Sequence, residues 1–129
     1  MSATVLIIDD AVHIRCLTSR MLERVGFVTI EASDGLQGLQ LLKERHPDIV
    51  TCDISMPLMD GHEFLLAAKS DETTRDIPVI IVTAIGQDSE ATKATEMGAD
   101  AYLTKPFSSS NLIETIQTQL KKYTQKKQS

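Results

Sequence analysis

Short apolar runs alternate along the chain with longer segments whose apolar residues return every three or four positions. Five of these runs are expected strands: Thr4–Ile8, Phe27–Ala32, Ile49–Cys52, Val79–Val82 and Ala101–Leu103. Several are apolar without alternation, the pattern of parallel strands covered on both faces. The βαβ rhythm therefore predicts an α/β fold with helices on both sides of a parallel sheet.

Between the strands, Ile14, Leu17, Met21 and Val25 mark the apolar stripe of a first helix, and Leu112, Ile116, Leu120 and Tyr123 that of a last one. Asp34 is placed to cap the second helix, with Gln37 completing a pair of the capping-box kind. Ser108 is the expected cap of the last helix. Gly38 falls inside the second helix, where it costs about 1 kcal/mol against Ala unless close packing requires it. The segment Glu90–Met97 carries few large apolar residues, so the fourth helix should bury less and hold less firmly than its neighbours.

At 129 residues, with 42% hydrophobic and 24% charged, the chain is the size of a single domain able to bury a core. We expect one unit over 1–129, with a core of about 4–123 and a polar basic tail at 124–129. The four lysines from Lys121 onward suit a helix C-terminus, and a docking arm is the alternative. No apolar run reaches the roughly 18 residues of a membrane span, and the start carries no basic leader, so a cytoplasmic protein without a membrane partner is expected. Cys16 and Cys52 read as reduced packing residues rather than a disulfide. The formal charge of −5 and the absence of Trp argue against direct nucleic-acid binding, and His13, His46 and His62 lack metal-ligand spacing.

Ligands of an open parallel sheet collect beyond the carboxyl ends of its strands. The first run ends in Asp9-Asp10, the third in Asp53, the fourth in Thr83, and the fifth in Thr104-Lys105-Pro106. Three carboxylates at one edge repel one another unless a cation lies among them, and hard oxygen ligands suit Mg²⁺, with Mn²⁺ possible. A carboxylate beside such an ion can attack a phosphoryl group while an ammonium and a hydroxyl neutralise the equatorial oxygens. Singly, each Asp would read as a cap or turn residue. Together they read as a site.

Those residues sit in motifs that resemble the receiver domain of two-component response regulators. They are Ile8-Asp9-Asp10 with Arg15 downstream, Cys52-Asp53-Ile54-Ser55-Met56-Pro57-Leu58-Met59-Asp60-Gly61, Val82-Thr83-Ala84, and the stretch from Gly98 through Lys105-Pro106-Phe107. The resemblance covers about Thr4 to Tyr123. It implies a flavodoxin-like (βα)5 sheet with strand order 2-1-3-4-5 and a cis bond at Lys105-Pro106. It further implies that Asp53 accepts phosphate from a phosphohistidine of a histidine kinase or histidine phosphotransfer protein. Asp9, Asp10, Asp53 and the Ser55 carbonyl would hold Mg²⁺, Thr83 and Lys105 would contact the phosphoryl group, and Thr83 and Tyr102 would form the switch. A downstream effector would read the face built by the fourth helix, fifth strand and fifth helix. Such a protein catalyses only its own phosphorylation and slow self-dephosphorylation, water being poorly placed beside Ser55 and Ile85.

With no output domain after Phe107, a stand-alone regulator is expected, in the manner of chemotaxis regulators or phosphorelay intermediates. Three other readings compete. A Mg²⁺-dependent aspartyl-phosphate phosphatase would want a second Asp at position 55, where Ser55 stands. A degenerate receiver acting as a scaffold conflicts with the complete set of five site residues. A flavin-binding module lacks the hydroxyl-rich phosphate loop after the first strand.

Overall fold

The structure is a computed structural model that describes residues 3–84, 86 and 88–128, the side chains of 88 and 124–128 excepted. Ten elements alternate in the order β1 (Thr4–Ile8), α1 (Val12–Glu23), β2 (Val28–Ala32), α2 (Gly35–Arg45), β3 (Ile49–Asp53), α3 (Gly61–Ser70), β4 (Val79–Ala84), α4 (Asp88–Glu96), β5 (Ala101–Lys105) and α5 (Ser109–Gln128). The strands form one parallel sheet in the order β2-β1-β3-β4-β5, as the resemblance implies.

Alternate side chains of the central strands feed two apolar layers. Leu6, Ile8, Val50, Cys52, Val79 and Ile81 pack with Leu42, Phe64, Leu65 and Ala94 of α2, α3 and α4. Val5, Ile7, Ile49, Ile80 and Leu103 pack with Leu22, Leu112 and Ile116 of α1 and α5. This double burial explains the unbroken apolar runs.

The strands differ from expectation mainly at their ends. β2 begins at Val28 rather than Phe27, which packs on the core beside Leu22. β3, β4 and β5 run on through polar residues, because the ladder continues between backbones: Asp53 pairs with Val82, Thr83 with Thr104, and Ala84 with Lys105. Asp53, Thr83 and Lys105 therefore stand on strand residues, while Asp9 and Asp10 follow directly after β1.

In α1 the buried face is Thr18, Ser19 and Leu22, whereas Leu17 and Val25 are half exposed. Two hydroxyls can be buried there because Thr18 donates to the Ile14 carbonyl (2.8 Å) and Ser19 shares a 2.7 Å hydrogen bond with Thr29 of β2. Of the expected stripe, Met21 packs against the core, and it joins Ile14 and Leu17 in lining a groove of about 360 Å³ opposite Pro106 and Phe107. Cys16 is exposed on this helix rather than packed, Cys52 is buried, and both are free.

The caps behave as read, with one shift. The Asp34 carboxylate accepts the Gln37 N–H (2.8 Å), while the Gln37 side chain reaches back to the Ser33 N–H (2.7 Å), one residue before the cap. Ser108 accepts the Asn111 N–H (3.0 Å). Asp60 and Glu63 form a reciprocal capping box on α3 that the sequence reading passed over. α5 continues to Gln128 and takes the lysine-rich segment into the helix; Ser129 lies outside the described residues. Three glycines are fixed by close approach: a Cβ at Gly35 would collide with Met59, one at Gly38 with Ile8, and one at Gly61 would lie 2.7 Å from both the Asp53 carbonyl oxygen and the Ile54 Cα.

The Gly61 neighbours are backbone and cannot turn aside. Gly61→Ala is expected to cost about 1–3 kcal/mol by overpacking, read as a lower thermal midpoint. A variant that melts with the wild type would contradict this packing.

Candidate functional site

Asp9 follows β1 directly, and its backbone continues the ladder by donating to the Ala32 carbonyl at 3.1 Å. Its carboxylate is committed on both oxygens. Oδ1 accepts the Ala11 N–H (2.9 Å), the α1 cap position having no side-chain cap of its own, and Oδ2 accepts from Lys105 Nζ (3.0 Å). Asp10 is exposed beside it, and Asp53 at the end of β3 is partly buried. One carboxylate oxygen of each of Asp9, Asp10 and Asp53 lies within 4.8 Å of the others.

Lys105 reaches this cluster from β5, across the end of β4, and also meets the Asp53 Oδ2 at 3.0 Å. Its peptide bond to Pro106 is cis. One ammonium thus bridges two carboxylates, and a third remains beside them. Burial works against ionising Asp53, and its carboxyl is held above the ordinary aspartate value despite Lys105 and a hydrogen bond from the Ser55 backbone; the neighbouring Asp9 charge adds to the rise. Burial alone would lower Lys105, but its hydrogen bonds to Asp9 and Asp53 outweigh that and raise it. Lys105 is therefore a permanent cation at any physiological pH.

Thr83 is buried, and its hydroxyl makes a long 3.4 Å contact with the Leu103 carbonyl of β5. Tyr102, next along β5, is 54% exposed beside Ala91, Thr95 and Glu96 of α4. Ser55 is exposed two residues after Asp53. Ile85 lies outside the described residues. All the other residues predicted for the site converge on the carboxyl edge of the sheet, apart from Tyr102, which sits on its outer flank.

Three features were missed. Arg15, quoted only as part of a motif, donates from Nη1 to the Asp9 carbonyl oxygen (2.7 Å) and from Nε to Glu31 (3.1 Å). His62, on the first turn of α3 and 7% exposed, places Nε2 at 2.6 Å from Glu90 of α4, while its Nδ1 is buried without a partner among the described residues. Leu58 stands 76% exposed with φ +69° in the loop after Asp53, a left-handed conformation disfavoured for any residue that carries a Cβ. The position of Leu58 in the turn before Asp60-Gly61 is the signal that was available for the last.

Chemically, the edge offers a nucleophilic carboxylate, two more for a divalent cation, and a fixed ammonium. Because the folded chain holds the Asp53 proton more tightly than the unfolded chain, the contribution of Asp53 to stability falls as pH rises through the carboxylate range. Without metal, Asp53→Asn is expected to melt several degrees above the wild type near neutral pH. The gap should close toward about pH 4 as Asp53 protonates. Paired melts across that range check it; equal midpoints at neutral pH, or a gap that widens in acid, would contradict it.

A family model described as the response regulator receiver domain matches residues 5–117. The polar-differentiation response regulator DivK of Brucella ovis is 37% identical over 120 residues, 93% of this chain and 98% of that protein. The phosphate regulon transcriptional regulatory protein PhoB of Escherichia coli is 34% identical over 122 residues, 95% of this chain but 53% of that protein. The chain thus spans about half the length of several curated relatives it matches. Among solved structures, the Vibrio cholerae chemotaxis protein CheY4 superposes with a TM-score of 0.86 at 29% identity, covering 92% of this chain and 98% of that one. With the family matched over most of its length and the sheet order and acidic edge in place, the chain belongs to the response regulator receiver domains.

Proposed function

We propose that Asp53 accepts a phosphoryl group from the phosphohistidine of a histidine kinase or histidine phosphotransfer protein, in a Mg²⁺-dependent reaction, and that the modified protein presents a different surface to an effector. The observation that carries this reading is the position of Asp53: at the end of the central strand, between a bridging ammonium and two further carboxylates.

Asp9, Asp10 and Asp53, with the Ser55 carbonyl, would hold the ion, which when bound would neutralise phosphoryl oxygens and relieve the crowding of carboxylates. The Asp53 carboxylate oxygen attacks phosphorus, the P–N bond breaks, and the imidazole leaves and recovers a proton. Lys105 is already within reach of Asp53 and pairs with the new negative charge. Thr83, weakly bound to the Leu103 carbonyl, can turn its hydroxyl to the phosphoryl group at little cost. Such a turn empties space beneath Tyr102, which can rotate inward and alter the α4–β5–α5 face.

The groove of Ile14, Leu17, Met21, Pro106 and Phe107 abuts Lys105 and gives a protein donor an apolar rim that a small phosphodonor would not use. The scaffold reading finds no support in a site whose charges are complete. The phosphatase reading finds none in Ser55, which can supply neither acid nor base. The net charge of −5 favours output through a protein rather than nucleic acid. No helix among the described residues is long and apolar enough to cross a membrane, consistent with action in the cytoplasm.

Incubation with labelled acetyl phosphate and Mg²⁺ tests the acceptor. Wild type is expected to take up label and Asp53→Asn to lose essentially all of it; uptake at the wild-type rate would refute the assignment. For the switch, beryllofluoride, which mimics the acyl phosphate, is expected to shift the Tyr102 ring resonances toward a buried environment. Unchanged Tyr102 resonances with the Asp53 amide visibly perturbed would eliminate Tyr102 as the moving part.

A further inference from the structure

Asp9 is gripped through its backbone as well as its side chain. Its N–H belongs to the β1–β2 ladder through Ala32, and its carbonyl oxygen receives Arg15 Nη1 at 2.7 Å. The Arg15 side chain, 14% exposed, is held in turn by Glu31 of β2 through Nε at 3.1 Å. Glu31 pairs in the ladder with Ile7, two residues before Asp9. Arginine suits this task because its planar fork donates in two directions at once. The carbonyl of Asp9 and the N–H of Asp10 share one rigid peptide plane, so a bond to the first sets where the second residue starts.

From this we infer that Arg15, braced by Glu31, is a positioning residue that orients the Asp9–Asp10 peptide so that both carboxylates converge on a divalent cation. The inference rests on the reading of Asp9, Asp10 and Asp53 as a Mg²⁺ site. Glu31 has a second part in it. A bare guanidinium next to the acidic edge would oppose the cation, and the Glu31 carboxylate cancels that charge while leaving the geometry intact.

Charge and positioning make opposite forecasts for Arg15→Gln. If the guanidinium acted by charge alone, removing it would tighten Mg²⁺ binding. If it holds the peptide, removal weakens binding by about tenfold or more, the usual effect of losing a partner that orients a metal ligand. Mg²⁺ titration by calorimetry, with the Asp9, Asp10 and Asp53 amides followed by NMR, separates the two. Arg15→Lys, which can reach the carbonyl or Glu31 but not both, is expected to fall between wild type and Arg15→Gln. Glu31→Gln keeps an acceptor for Nε but leaves the charge uncancelled, so its weaker binding should recover toward wild type as NaCl is raised.

Metal-free melts establish that each variant is folded at the titration temperature. Should Arg15→Gln fail to fold, Arg15→Lys and Glu31→Gln carry the comparison. Affinity that is unchanged or tighter in the folded Arg15 variants overturns the positioning role. Failure of the wild type itself to bind Mg²⁺ would instead overturn the site reading on which it rests.

Discussion

Three carboxylates held within 4.8 Å of one another are a repulsive arrangement, and the rest of the carboxyl edge is built to sustain it. The central parallel strands make that crowding unavoidable: β1 and β3 are neighbours, so the residues that close them stand side by side. Lys105 answers from β5, bridging Asp9 and Asp53 at equal distances of 3.0 Å. Beneath them lies a floor without polar freedom, formed by the fully buried Ile8 and Cys52 and the nearly buried Val82. Gly61 lets α3 start directly against the Asp53–Ile54 backbone. A charged edge on an apolar base keeps its geometry because only side-chain tips, and not the strands carrying them, can move to relieve the repulsion.

Much of this was legible in the chain because two periodicities and one chemical pattern coincide in it. Unbroken apolar runs mark strands buried on both faces, and the polar residue that ends each run marks the edge. Where the reading slipped, the cause was a hydrogen bond that hydrophobicity does not register. α1 turns Thr18 and Ser19 inward in place of Leu17 because Ile14 and Thr29 can satisfy their hydroxyls. β4 and β5 extend through Thr83 and Lys105 because a ladder between backbones is indifferent to side-chain polarity. Arg15 stood in plain view within a motif, but its reach to a backbone carbonyl and to Glu31 exists only once α1 is laid against β1 and β2.

The two helices flanking β5 are attached very differently. α5 sends Leu112 and Ile116 wholly into the core, whereas among its described side chains α4 buries only Ala91 and Ala94. Alanines contribute little apolar area, and the 2.6 Å contact between His62 and Glu90 adds a polar tie between α3 and α4. His62 directly follows Gly61, whose N–H bonds the Ile54 carbonyl just past β3. A continuous set of contacts therefore joins the end of β3 to the first turn of α4, the helix beside β5 with the smaller described apolar anchor.

The residue before Asp53 also shapes the chemistry of this edge. Cys52 is fully buried, and that burial, with the nearby charges of Asp53, Asp9 and Asp60, pushes its thiol well above the usual range. A thiol that stays protonated is neither a nucleophile nor an easy target for peroxides. β3 thus carries sulfur next to the Asp53 carboxylate without opening that thiol to redox chemistry. Thiol oxidation is open instead to the exposed Cys16 on α1, away from the strand that holds Asp53.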